Sequence, residues 1–152
     1  VDATMGFYRA VGMQPLRLNR EIEGFIGNRL QAALWKEAVH CFATGVAGTK
    51  EIDDALVHYI GMRWAFMGTF MTYHLAGGPD GMRGFIKHFP NAIADAAVGI
   101  SPDELSARLI EECERQAGDR SMDEIQQKRD ALLADLLLVF KRHGVGAGQT
   151  SL

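Results

Sequence analysis

Cysteine, proline and aromatic side chains are all scarce in this 152-residue chain, which has 2 Cys, 4 Pro and 9% Phe, Trp and Tyr. Two cysteines, Cys41 and Cys113, are too few for the disulfide framework of a small secreted domain, so a reducing, cytoplasmic setting is expected. No segment approaches the roughly 18 apolar residues that a membrane helix needs. The most apolar one, 131–140, is interrupted by Asp135 and flanked by Arg129, Asp130, Lys141 and Arg142. The N-terminus lacks the charged, apolar and small-residue regions of a signal peptide. Positive charge is not in excess either: 16 Lys and Arg stand against 19 Asp and Glu, a formal net charge of -3. Nucleic acid is therefore excluded as the main partner, because binding phosphates needs a basic face. With 47% hydrophobic and 23% charged residues, the composition is that of a folded globular chain rather than a disordered one. The chain opens on Val1 instead of Met, from which a longer parent protein is expected.

Catalytic motifs are missing as well. There is no HExxH, no CxxC and no G-x-S-x-G. Glu37-Ala38-Val39-His40 has the Glu-x-x-His spacing of di-metal helical bundles, but a second copy and two further carboxylates are lacking, so no metal site is expected. The glycine-rich stretch 77–84 has neither a preceding strand nor G-x-G-x-x-G or Walker spacing and is expected to be a turn. Cys41 and Cys113 fall on apolar helix stripes, where inert thiols are expected. The five histidines are scattered, and His74 is expected to be a core histidine bonded to backbone. No complete active site is expected within the chain.

Helix signals dominate what is present. Apolar spacing predicts helices over 3–11, 25–43, 51–60, 64–75, 82–89, 102–116 and 122–140. Ser101-Pro102-Asp103-Glu104 and Ser121-Met122-Asp123-Glu124 read as capping boxes. Thr49 is expected to cap the third helix and Gly61 to stop it, while Glu124 and Lys128 are spaced for an i,i+4 ion pair. The 25–43 helix carries apolar residues on more than one stripe, which predicts burial on several sides. A single strand is expected at 15–20, where apolar and polar residues alternate, although one strand cannot hold a sheet by itself. Asn28, in the first turn of the long helix, is placed to aim its amide at a ligand.

The run Glu23-Gly24-Phe25-Ile26-Gly27-Asn28-Arg29-Leu30, followed by Glu37-Ala38, Gly45-Val46-Ala47 and Glu51-Ile52-Asp53-Asp54-Ala55, resembles the C-terminal domain of the 3-hydroxyacyl-CoA dehydrogenase family over about residues 15–73. The resemblance implies an all-α helical bundle, like the C-terminal domain of 6-phosphogluconate dehydrogenase. It would be preceded by a helix-strand remnant of an NAD-binding Rossmann domain at 1–22, with the bundle at 23–144 and a flexible tail at 145–152. It also implies NAD held by a missing N-terminal domain, with no cofactor-binding residue here and the catalytic His and Glu outside this chain, so the chain alone is expected to be inactive. A homodimer formed through the helical domain is the implied assembly.

Two departures refine the resemblance. Glu23 replaces the usual Pro, and Arg63-Trp64-Ala65-Phe66-Met67-Gly68-Thr69-Phe70 stands where acyl-CoA members tend to read G-x-P-M-G-P. That segment, with Thr72-Tyr73, is similar to the carnitine 3-dehydrogenase branch and next to the lambda-crystallin and gulonate dehydrogenase branch, both of which oxidise small hydroxy acids. Asn28 would then orient the substrate oxygen. Arg63 would bind a carboxylate, and Trp64, Phe66 and Tyr73 would surround a trimethylammonium group. The alternatives are a 3-hydroxybutyryl-CoA dehydrogenase domain, or a helical module that serves only dimerisation.

Overall fold

The computed structural model describes residues 1–144, all of the ordered elements being helical. The tail expected at 145–152 lies outside the described residues. The chain forms two compact units, one of residues 1–47 and one from Gly48 onward.

The first unit holds α1 (Asp2–Ala10) and α2 (Phe25–Ala43). The strand expected at 15–20 does not form: there is no strand among the described residues, and this segment is irregular. Alternation prepares a segment for a sheet edge, and with no second strand to share hydrogen bonds it stays unpaired. Arg17 instead reaches back to Asp2 at 2.8 Å. The α2 helix has its expected bounds but not its expected burial. None of its residues is buried, and Phe25, Leu30, Trp35 and Phe42 are each more than half exposed. Cys41, expected to be a core thiol, is half-buried and lies 3.8 Å from Glu37.

The second unit begins with α3 (Thr49–Ala55), a π-helical turn (Leu56–Ile60) and α4 (Gly61–Trp64) in one uninterrupted run. Gly48 rather than Thr49 is the N-cap. Gly61 does not stop the helix. Its N–H bonds Leu56 O, five residues back, and a Cβ at Gly61 would lie 2.6 Å from that oxygen. Glycine is thus what lets the wide turn close.

The predicted 64–75 helix is broken. Residues 65–68 turn, Gly68 takes an extended N-cap conformation, and α5 (Thr69–Ala76) starts afresh. An apolar run without polar punctuation carries no helix phase, so this break was invisible in the periodicity. A 3₁₀ turn (Gly78–Asp80) leads into α6 (Gly81–His88), and Pro90 both ends that helix and opens α7 (Pro90–Ala94) as its first residue.

The last two helices are α8 (Pro102–Ala117) and α9 (Met122–His143), and both start on the expected serines. Ser101 Oγ accepts the Glu104 N–H at 3.2 Å. At α9 the capping box is complete, a feature whose serine contributes about 1 kcal/mol. Glu124 Oε2 accepts the Ser121 N–H at 2.7 Å, which holds its carboxyl below the usual range. That carboxylate is therefore committed to the cap and makes no ion pair with Lys128.

The core lies where α5, α8 and α9 meet. Met71, Leu75, Ala117 and Ile125 are buried together, with Met67 and Met122 packed against them. Cys113 on α8 is 2% exposed, and burial pushes its thiol above the ordinary value, so it is an inert core group as expected. No helix of the described residues is long and apolar enough to cross a membrane.

Candidate functional site

Entry into α2 requires an unusual backbone. Gly24 (φ 77) and Phe25 (φ 50) are both left-handed, and Phe25 is the one non-glycine residue with positive φ among the described residues. Glycine adopts this conformation freely, whereas a phenylalanine there costs on the order of 1 kcal/mol. The turn is closed by the Phe25 N–H bonding Ile22 O at 3.1 Å. Asn28 follows in the first turn of α2, exposed, and makes no side-chain hydrogen bond.

Arg63 and Trp64 close α4, just after the π-turn. The Arg63 carbonyl accepts from both Phe66 (3.2 Å) and Met67 (2.8 Å), fixing the bend that follows. Its side chain is different. Nε is buried and has no hydrogen-bond partner among the described residues, a donor that costs about 1–3 kcal/mol while unpaired. Trp64 is 46% exposed. Phe66 is half-buried on a cleft of about 260 Å³ with Met67, Met71, Arg120 and Ile125 among its walls.

Tyr73 lies apart from these. It projects from α5, half-exposed, and stacks on Phe85 of α6 with ring centroids 4.6 Å apart and planes at 22°. Phe85 in turn meets Phe89 at 5.1 Å. Three aromatic faces thus form a row, and no ring contact joins Tyr73 to Trp64 or Phe66 among the described residues. Phe85 and Phe89 were missed in the sequence, although their i,i+4 spacing marks one helix face.

His74, next to Tyr73, is 4% exposed. Its Nδ1 accepts the backbone N–H of Met82 at 3.1 Å, as expected of a core histidine, and burial holds its pKa below the ordinary value. The Glu37–His40 motif is not built into a larger cluster. No group of three His, Cys, Asp or Glu side chains converges to hold a metal among the described residues.

Residues 24–122 match the family model described as 3-hydroxyacyl-CoA dehydrogenase, C-terminal domain. Among curated relatives, the chain is 44% identical to an L-carnitine dehydrogenase of Burkholderia mallei, over 95% of the chain and 48% of the relative. It is 45% identical to an L-carnitine dehydrogenase of a Pseudomonas species, over 90% of the chain and 44% of the relative. With an L-carnitine dehydrogenase/betainyl-CoA thioesterase of Agrobacterium fabrum it shares 38% identity over 93% of the chain and 30% of the relative. The chain spans about half the length of the first two. It belongs to the 3-hydroxyacyl-CoA dehydrogenase family and carries that family's C-terminal domain.

Proposed function

We propose that this chain is the substrate-side half of an NAD-dependent dehydrogenase that oxidises the 3-hydroxyl of carnitine to a ketone. The observation that carries this reading is the buried, unpartnered Nε of Arg63. A guanidinium presents a planar fork to a carboxylate, and pairing with one removes the cost of the orphan donor. Carnitine brings a free carboxylate and a trimethylammonium group, whereas a 3-hydroxyacyl-CoA thioester has neither at the reacting end. Tyr73 in its row with Phe85 supplies aromatic faces for the cation, each contact contributing about 0.5–2 kcal/mol. Trp64, the next residue in the chain, and Phe66, on the bend that follows α4, are the further contacts we assign to the substrate. Asn28, after its strained turn, orients the substrate oxygen.

The residues here do not fit a dinucleotide. The chain lacks the G-x-G-x-x-G fingerprint, and the described residues hold no strand from which such a turn would spring. NAD and the His–Glu pair are accordingly assigned to the remainder of the parent protein. Two free cysteines suit a reducing cytoplasm. Assayed with both compounds, the full-length protein will show kcat/KM for carnitine at least about 100-fold above that for 3-hydroxybutyryl-CoA. Preference for the thioester would overturn the assignment in favour of the acyl-CoA activity.

A second role rests on α2. Leu30, Trp35 and Phe42 are 66%, 70% and 56% exposed, more apolar surface than a lone helix keeps in water without a partner. We assign these exposed apolar side chains to a homodimer contact. Sedimentation equilibrium of the full-length protein will give a dimer at micromolar concentration, and Trp35→Glu will shift it towards monomer. A wild-type monomer would exclude the contact.

A further inference from the structure

The α6 helix is held at its start by a residue of another helix. Its own N-cap, Asp80, makes no side-chain capping bond. The acceptor is His74 Nδ1 on α5, which takes the N–H of Met82 at 3.1 Å, the second residue of α6. The imidazole also lies flat on Gly81. A Cβ there would sit 2.6 Å from His74 Cε1 and 3.0 Å from both ring nitrogens. Because Nδ1 accepts, the ring is neutral with its proton on Nε2. A protonated ring would point an N–H at the Met82 N–H and set a positive charge against the positive end of the helix.

What α6 delivers is Phe85, one turn further on, which stacks on Tyr73, the chain neighbour of His74. The imidazole thus ties together the two helices that bear the aromatic row. The elements packed against α5 carry charged groups that include Asp80 on the 3₁₀ turn, Arg83 on α6, Glu114 on α8, and Asp123 and Glu124 at the start of α9. Glu114, which pairs with Arg83 at 3.7 Å, is the one whose charge acts on the ring. It favours the imidazolium, and burial opposes it more strongly.

We propose that His74 is a positioning residue: its neutral ring, by accepting the Met82 amide, keeps Phe85 seated on Tyr73, so that acidification unseats the aromatic row and weakens the grip on a cationic substrate. The link to substrate rests on the function proposed above, while the capping bond does not. Burial lowers the folded pKa, so the bond is intact above the ordinary value of 6.5 and is lost only as pH falls below it.

Two measurements on the full-length protein separate these parts. Hydrogen exchange, expressed as protection factors relative to intrinsic rates, will show amides at the start of α6 losing protection below pH 6.5. His74→Asn, whose amide oxygen replaces Nδ1 as an acceptor that does not titrate, will keep protection constant across the same range. His74→Leu, without an acceptor, will lack protection at every pH. In parallel, wild-type KM for carnitine will rise about fivefold on acidification, with kcat changing less, and His74→Asn will abolish that rise. Protection of α6 that does not vary with pH in the wild type overturns the proposal. So does a loss of protection with unchanged KM in an enzyme that turns over carnitine. Absence of carnitine turnover refutes the proposed function alone, and exchange then decides whether His74 is the cap.

Discussion

If Arg63 holds the substrate carboxylate as proposed, Arg63→Ala in the full-length protein is expected to lower kcat/KM for carnitine by roughly 30- to 5000-fold. The range follows from the loss of about 2–5 kcal/mol when one partner of a desolvated charge pair is removed. Arg63→Lys recovers little, because an ammonium cannot present the planar fork. Stability moves less than activity. Truncation removes the packed stem of a half-buried side chain, but it also removes a buried donor that the protein leaves unpaired. This separation of effects is the mark of a residue whose acceptor arrives with the substrate. Steady-state kinetics and a thermal melt on the same preparation check it. Unchanged kcat/KM in the alanine variant would remove Arg63 from the site.

The second large effect is on folding. Gly77→Ala places a Cβ 1.7 Å from Gly81 O and 2.7 Å from Phe85 N. Neither atom can turn aside, since both are backbone. Gly84 is in the same position, with a would-be Cβ 2.2 Å from Gly77 O. The start of α6 and the end of α5 therefore approach backbone to backbone, and one methyl group forces them apart. The expected loss is about 3 kcal/mol or more, or roughly 10 °C in Tm for a chain of this size. Gly6→Ala is the control. It lies inside α1 with nothing within 4 Å, and it should raise stability slightly. Chemical denaturation that placed Gly77→Ala within about 1 kcal/mol of the wild type would show that the two helices can separate cheaply.

The legible parts of the sequence were those written in local chemistry. Ser101 and Ser121 announced α8 and α9 because a capping serine acts within one turn of itself. The bounds of α2 followed from its glycines, yet its burial did not, because apolar residues on several faces show that a helix wants partners without saying which chain supplies them. The break at Gly68 was hidden inside uniform apolarity, and the alternation at 15–20 could not reveal that no neighbouring strand follows. For the site, physics reached His74 as a backbone-bonded histidine. Asn28, Arg63, Trp64, Phe66 and Tyr73 stood out as a set only through family resemblance. The Tyr73–Phe85–Phe89 row escaped both routes. It depends on the close crossing that Gly77, Gly81 and Gly84 permit, and those glycines read as a turn.

The wide turn at Leu56–Ile60 has a bearing on how this segment tolerates insertion and deletion. Relative to a regular helix it accommodates one surplus residue, and each residue of an α-helix advances the azimuth by roughly 100°. Removing a single amino acid between Leu56 and Ile60 would leave a smoother and more regular helix. Because the bulge already absorbs that residue, Arg63 and Trp64 would keep roughly the direction in which they now project, whereas deletion of one residue elsewhere in the run would swing them by roughly 100°. The irregularity is thus a place where the run can lose one residue while the aim of the side chains that follow it is kept.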